Sequence, residues 1–246
     1  MQRYIRLLAE AIMPVHLQLP LRYSYRRLKG TLDEEMLYVN SLLMNRRRFL
    51  DVGSNVGIYS YHFLRRMKKV EAFEPIKEIT YRLEAHANGS LSIHNCALSN
   101  EVSTLPFHIP VDDRGNLIPS WASLEPLEQK CVTRDVPVKR LDDFAFADVD
   151  LFKIDVEGHE MNVINGALET IKKCKPIMLI EIEQRHISVP IWSIFQQIAD
   201  LGYTGCFLSA GNPIDIEYFE YEKHQKPFLD DVMNKGYINN FIFTSR

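Results

Sequence analysis

Residues 49–60, FLDVGSNVGIYS, constrain the fold more than any other stretch of the chain. A short apolar run closes on Asp51, passes through Gly53, Asn55 and Gly57, and opens into a helix-compatible segment, the pattern of a strand, a tight turn and a helix that hold a polar nucleotide group. A strand of this kind is buried on both faces and needs parallel neighbours. The following sequence supplies them. Ile58, Tyr59 and Phe63 predict a helix to about residue 67, and Val70, Ala72 and Phe73 a buried strand ending at Glu74 and Pro75. A helix over 76–87 leads to a third strand, LSIHNCAL (91–98). The pattern resumes with DVDLFKIDVEG, a strand ending at Asp155, then a helix over 160–173, a strand over 177–183 and a helix over 191–201. Two last strands, YTGCFL and YINNFIFTS, flank an irregular polar stretch at 210–236. Strands alternating with helices of about 10–15 residues define an α/β fold, doubly wound around a mostly parallel, right-handed sheet.

Residues 101–140 break the alternation. EVSTLPFHI and KCVTRDVPVKRL read as strands separated by the turn-rich VDDRGNLIPSWASLEP, so a β-rich insertion with a long loop is expected, with Trp121 and Ser123 as candidates for substrate contact. At the start, Ile5, Leu8, Ala9 and Ile12 predict an amphipathic helix over 2–13 that Pro14 ends. Thr31 and Glu34 form a capping box for a second helix, to about residue 44. Residues 1–45 are thus expected to be a helical segment packing on the core, and 46–246 a single domain. The chain has 246 residues, 46% of them apolar, which is enough for one large core.

Charge is uneven. Residues 1–50 hold nine Arg and Lys against four Asp and Glu, although the whole chain is at −3. Arg22, Arg26, Arg27 and Lys29 suggest at most a peripheral membrane contact. No run approaches the roughly 20 apolar residues of a membrane span. Glu10, His16 and Gln18 interrupt the first apolar stretch, and no small-residue cleavage site follows, which argues against a signal peptide. Cys96, Cys131, Cys174 and Cys206 are widely spaced and form no CxxC pair, so no zinc site or disulfide framework is indicated, and a cytoplasmic location is expected. Nucleic acid is not an expected partner.

The loop chemistry narrows the cofactor. A dinucleotide fold favours G-x-G-x-x-G, whereas this chain has D-x-G-x-N-x-G, which lowers the reading as a NAD-dependent oxidoreductase. A strand-closing carboxylate suits a cofactor with positive charge, such as the ammonium and sulfonium of S-adenosylmethionine. Glu74, at the end of the second strand, is placed to accept the hydroxyls of a ribose.

In these features the chain resembles the FkbM-type S-adenosylmethionine-dependent methyltransferases. The matching pieces are FLDVGSNVGIYS, AFEPI (72–76), NCALS (95–99), VKRLDDF (138–144), FKIDVEGHEMNVINGA (152–167) and IMLIEIE (177–183). They cover about residues 45–210. The resemblance implies a Rossmann-like class I methyltransferase with a seven-stranded sheet and one antiparallel strand, and methyl transfer to oxygen. Its implied acceptors are sugars on glycans, glycolipids, lipopolysaccharide or lipochito-oligosaccharides, or alternatively hydroxyls of polyketide-like metabolites. It places the methionine part on Asp51, Gly53, Asn55 and Gly57, the ribose on Glu74 and the adenine against Cys96 and Ala97. Near the methyl group, Asp155 is the favoured catalytic residue, with Glu157 or His159 as candidate base, because a sugar hydroxyl needs a proton acceptor. Period-2 alternation would put Asp155 and Glu157 on one side of an extended segment. A Mg²⁺ between Asp155 and Glu181 is the lesser alternative, and two carboxylates are too few to assign a metal.

Overall fold

The structure is a computed structural model that describes residues 13–245. The helix expected over 2–13 therefore lies outside the described residues, apart from Met13. Pro14 caps the start of α1 (Val15–Leu28), which also accommodates Pro20. Pro suits a helix start because its φ is already helical and its missing N–H is an orphan there. The second helix, α2 (Glu34–Leu42), is capped by Asp33, and the expected capping box does not form. Thr31 Oγ1 instead donates to the Arg26 carbonyl at 3.2 Å, closing the turn out of α1.

The sheet is built on β1 (Arg48–Val52), β2 (Lys69–Phe73), β3 (Leu91–His94), β7 (Val149–Ile154) and β8 (Ile177–Glu181), all parallel. It is completed by β9 (Tyr203–Ser209), β10 (Asn212–Asp215) and β11 (Asn240–Ser245), in the order β10-β9-β11-β8-β7-β1-β2-β3. Among the described residues it has eight strands, where seven were expected. β11 is the expected antiparallel strand, and β10, in the stretch expected to be irregular, folds back on β9 as a second one. The predicted strand over 91–98 is split. His94 ends β3, and Ala97–Leu98 form β4 of a second, three-stranded sheet with β5 (Ser103–Pro110) and β6 (Cys131–Lys139).

Alternation sends successive side chains of each strand to opposite faces. Leu50, Val52, Phe152, Ile154 and Ile180 share one core with α5 (Glu160–Asn165), α6 (Leu168–Cys174) and α7 (Ile191–Asp200). The helix expected over 160–173 is broken between α5 and α6 at Gly166, where a Cβ would lie 1.9 Å from the Ser99 carbonyl oxygen. Phe49, Val70, Leu151 and Leu179 share the opposite core with α1, α2, α3 (Ile58–Leu64) and α4 (Lys77–Glu84). α1 is fixed there by fully buried Leu19 and by Tyr23, whose hydroxyl lies 2.7 Å from His62 Nδ1. A third cluster, including Phe107, Ile109, Ala122 and Val138, ties the small sheet to the main one. Among the described residues, no helix is long and apolar enough to cross a membrane.

Candidate active site

The carboxyl ends of β1, β2 and β7 meet in a crevice, as expected where the winding of an open parallel sheet reverses. Gly53, at φ +75°, begins the loop after β1. A Cβ there would lie 1.8 Å from the Asp155 carbonyl oxygen, so only glycine lets this loop lie against the end of β7. The Gly53 and Ser54 amides donate to the Phe73 carbonyl, and Gly57, at φ +87°, caps α3. Asn55 is also left-handed, at φ +50°, and its side-chain oxygen accepts from the Val56 amide at 2.7 Å.

Glu74, just past β2, accepts from the Asn55 amide at 3.0 Å and the Ile76 amide at 2.9 Å. Burial pushes its carboxyl up to about 7, against the two backbone hydrogen bonds. Cys96 and Ala97 lie across from it. Burial raises the Cys96 thiol, which stays a neutral, apolar wall. A cavity open to solvent is lined by Gly53, Asn55, Glu74, Cys96, Ala97 and Asp155 among others. Its apolar side also takes Phe107, Ala122 and Leu124 from the insertion, which sequence reasoning did not place there.

A second, more open cavity lies on the other side of the loop. The two share Gly53, Asn55, Pro119, Ser120 and Asp155. Thus Pro119 and Ser120 reach the site, not the neighbours expected to. Trp121 is 42% exposed and lines neither cavity, and Ser123 is buried, its hydroxyl donating to the Glu157 carbonyl at 2.8 Å.

Beneath the second cavity, Asp51 pairs in register with Lys153 of β7. Asp51 is fully buried, and one oxygen accepts from Ser60 Oγ at 2.6 Å while Oδ1 has no hydrogen-bond partner. Burial raises its pKa, with Lys153 opposing. Lys153 donates to Asp155 Oδ2 at 2.8 Å and lies 4.7 Å from the Tyr59 ring centroid. Burial lowers its pKa, but Asp155 and Asp51 outweigh that and the net shift is upward. Burial pushes the Glu181 carboxyl well above its usual range, and Asn239 donates to it at 2.6 Å. The Lys153 ammonium faces both Asp155 and Glu181, the two carboxylates considered for a Mg²⁺.

Glu157 does not continue the strand, as the alternation argument required. Its backbone turns left-handed at φ +53°, and its carboxylate lies 3.0 Å from His186 Nε2. Burial raises its pKa, while His186 opposes. Glu183 lies close to both Glu157 and His186, but it is held by Arg185 and the Tyr237 hydroxyl, so its charge already has a partner. His159 lines the first cavity, but both ring nitrogens are engaged. Nδ1 faces Glu125 Oε1 at 2.7 Å and Nε2 faces Ser99 Oγ at 2.9 Å. It has no nitrogen left to take a substrate proton and instead ties the insertion loop to α5.

Asp155 lines both cavities, and Glu74 lines the first of them. The family model of the methyltransferase FkbM domain matches residues 51–204. The chain belongs to the FkbM methyltransferase family. "Methyltransferase 1" of Beauveria bassiana (strain ARSEF 2860) is 29% identical over 141 residues, 48% of this chain and 57% of that protein. The crystal structure of methyltransferase FkbM from Methylobacillus flagellatus KT superposes with a TM-score of 0.51 at 15% identity, over 94% of this chain and 55% of that one. The chain thus spans little more than half the length of these relatives. The structural match shows the fold, a class I methyltransferase sheet.

S-Adenosylmethionine fits the FkbM crevice on two counts. The orphaned Asp51 Oδ1 offers a buried acceptor to an ammonium group, and the Cys96–Ala97 wall is apolar, as an adenine requires. Glu74 adds a testable linkage. Ribose hydroxyls donate to an ionised carboxylate, so binding should pull its pKa down from about 7 and release a proton. Affinity for S-adenosylhomocysteine should therefore rise by roughly tenfold per unit of pH between about 5.5 and 7. Glu74→Gln should flatten that slope in calorimetric titrations, and an unchanged slope would remove Glu74 from the ribose site. In the cofactor-free protein the sign is the opposite for stability. The folded carboxyl at about 7 lies above its ordinary value of 4.5, so its stabilising contribution is complete below 4.5 and lost as pH rises through about 7.

Proposed function

We propose that the protein is an S-adenosylmethionine-dependent O-methyltransferase that modifies a hydroxyl of a sugar on a glycan or glycolipid. The observation carrying this reading is that Asp155 lines both cavities, with a half-buried Glu157–His186 pair nearby. Asp51, Gly53 and Asn55 would hold the methionine part, Glu74 the ribose, and Cys96 and Ala97 the adenine. Bound there, the cofactor supplies an electrophilic methyl group on a sulfonium. The task left to the chain is to orient an oxygen and take its proton. Asp155, held by Lys153 through Oδ2 and 29% exposed, accepts a hydrogen bond from the acceptor hydroxyl and fixes its direction. Such alignment is worth several kcal/mol of barrier. Glu157 is the base, since its raised pKa makes it a stronger proton acceptor than an ordinary carboxylate.

A lipid-linked acceptor is supported by the outer face of α1. Leu17, Leu21, Tyr25 and Leu28, spaced four, four and three apart, are 42, 49, 62 and 88% exposed, with Arg27 and Lys29 exposed beside them. Such a stripe suits an interfacial surface. The test is transfer of labelled methyl from S-adenosylmethionine to free sugars, nucleotide sugars and glycolipids in anionic vesicles. Turnover on a sugar-bearing acceptor, fastest on vesicles, is expected. Transfer only to polyketide-type hydroxyls would overturn the sugar reading, and transfer only to nitrogen or carbon would overturn O-methylation.

A further inference from the structure

The second cavity is lined by cations and carboxylates together. Arg22 and Arg26 of α1 and Lys153 of β7 meet Asp33, Asp51 and Asp155 around it. Arg22 and Arg26 are one helical turn apart and half-buried, whereas Arg27 and Lys29 point to solvent. Arg26 is anchored, its Nε donating to the Thr31 carbonyl at 3.1 Å and its Nη2 lying 3.5 Å from Asp33 Oδ1. A phosphate here would face Asp51 and Asp155, and a simple amine would face two guanidiniums. A zwitterion satisfies both signs. The cavity adjoins the crevice lined by Glu74, Cys96 and Ala97, sharing Gly53, Asn55, Pro119, Ser120 and Asp155 with it, so a ligand in one lies against the wall of the other.

We propose that Arg22 and Arg26 bind the α-carboxylate of the cofactor's methionine end, so that α1, outside the matched family domain, completes the cofactor site. The proposal rests on the S-adenosylmethionine reading above. The ammonium then falls to the unpartnered Asp51 Oδ1 on the opposite wall. A guanidinium's planar fork matches a carboxylate, and charge-assisted hydrogen bonds of this kind are strong. Fixing that end holds the rest of the ligand in register with Asp155.

Calorimetry with three probes tests it: S-adenosylhomocysteine, its decarboxylated form S-adenosyl-3-thiopropylamine, and 5′-methylthioadenosine. The variants are Arg22→Met and the double variant with Arg26→Met. Each should bind S-adenosylhomocysteine about 10- to 100-fold more weakly than the wild type. Their affinity for the decarboxylated form and for methylthioadenosine should change less than about threefold, which also shows that the adenosine crevice is folded. Equal losses for all three probes, or no loss for S-adenosylhomocysteine, would overturn the proposal. If the wild type binds none of the three, the cofactor reading itself fails, and this inference with it.

Discussion

Asp155→Asn should lower turnover by about 10²- to 10⁴-fold while leaving the protein folded. Asparagine keeps an oxygen that can accept from Lys153, now at 2.8 Å from Asp155 Oδ2, so the end of β7 should hold its shape. What disappears is a negative charge that lines both cavities. Single-turnover rates at saturating cofactor, alongside thermal melting, separate the effects. A variant that melts like the wild type and transfers methyl within threefold of its rate would move the reactive centre away from Asp155.

Lys153→Met should be the most damaging substitution for stability. It removes the cation that faces Asp51, Asp155 and Glu181 and leaves buried carboxyl groups with no counter-charge. Breaking a buried pair in this way costs about 3–5 kcal/mol, which in a chain of this size lowers Tm by about 6–20 °C. The pH dependence identifies the cause. Asp51 and Glu181 are already pushed upward by burial, and losing Lys153 raises them further. The deficit should therefore be greatest near neutral pH and shrink as the carboxyl groups protonate on acidification. A deficit below 1 kcal/mol, equal at pH 5 and 7.5, would show that Lys153 is not the compensating charge.

Lys153 also shows where the sequence stops being readable. The acids that close strands and the glycines that follow them are legible because local steric rules act on them, and Asp51, Gly53, Glu74 and Asp155 all reach the crevice. Lys153 sits between Phe152 and Ile154 in an apolar strand, and its role comes from the register Asp51↔Lys153 between segments about a hundred residues apart. The readable signal was the charge itself, since a lysine inside a buried strand needs a partner. Arg22 and Arg26 were obscured for another reason. The pattern after Pro14 was not read as a helix, so the inward and outward faces of α1 (Val15–Leu28) could not be separated. The insertion loop has no period, and so Pro119 and Ser120 could not be told from Trp121 and Ser123. His159 looked like a base because of where its motif ends, while its actual partners, Glu125 and Ser99, lie 34 and 60 residues away.

The additional hairpin strand β10 bears on how the protein behaves at high concentration. An open sheet has two outer strands whose unpaired amides and carbonyls can recruit another polypeptide. Here β10 is one of them, only four residues long, with Pro213 lacking an amide hydrogen and Asp215 adding charge, and it covers the seven-residue, more apolar β9. Cutting the chain so that β9 became the border would expose a longer, stickier template. With β10 as the border, the sheet presents there a shorter and less apolar strand than β9.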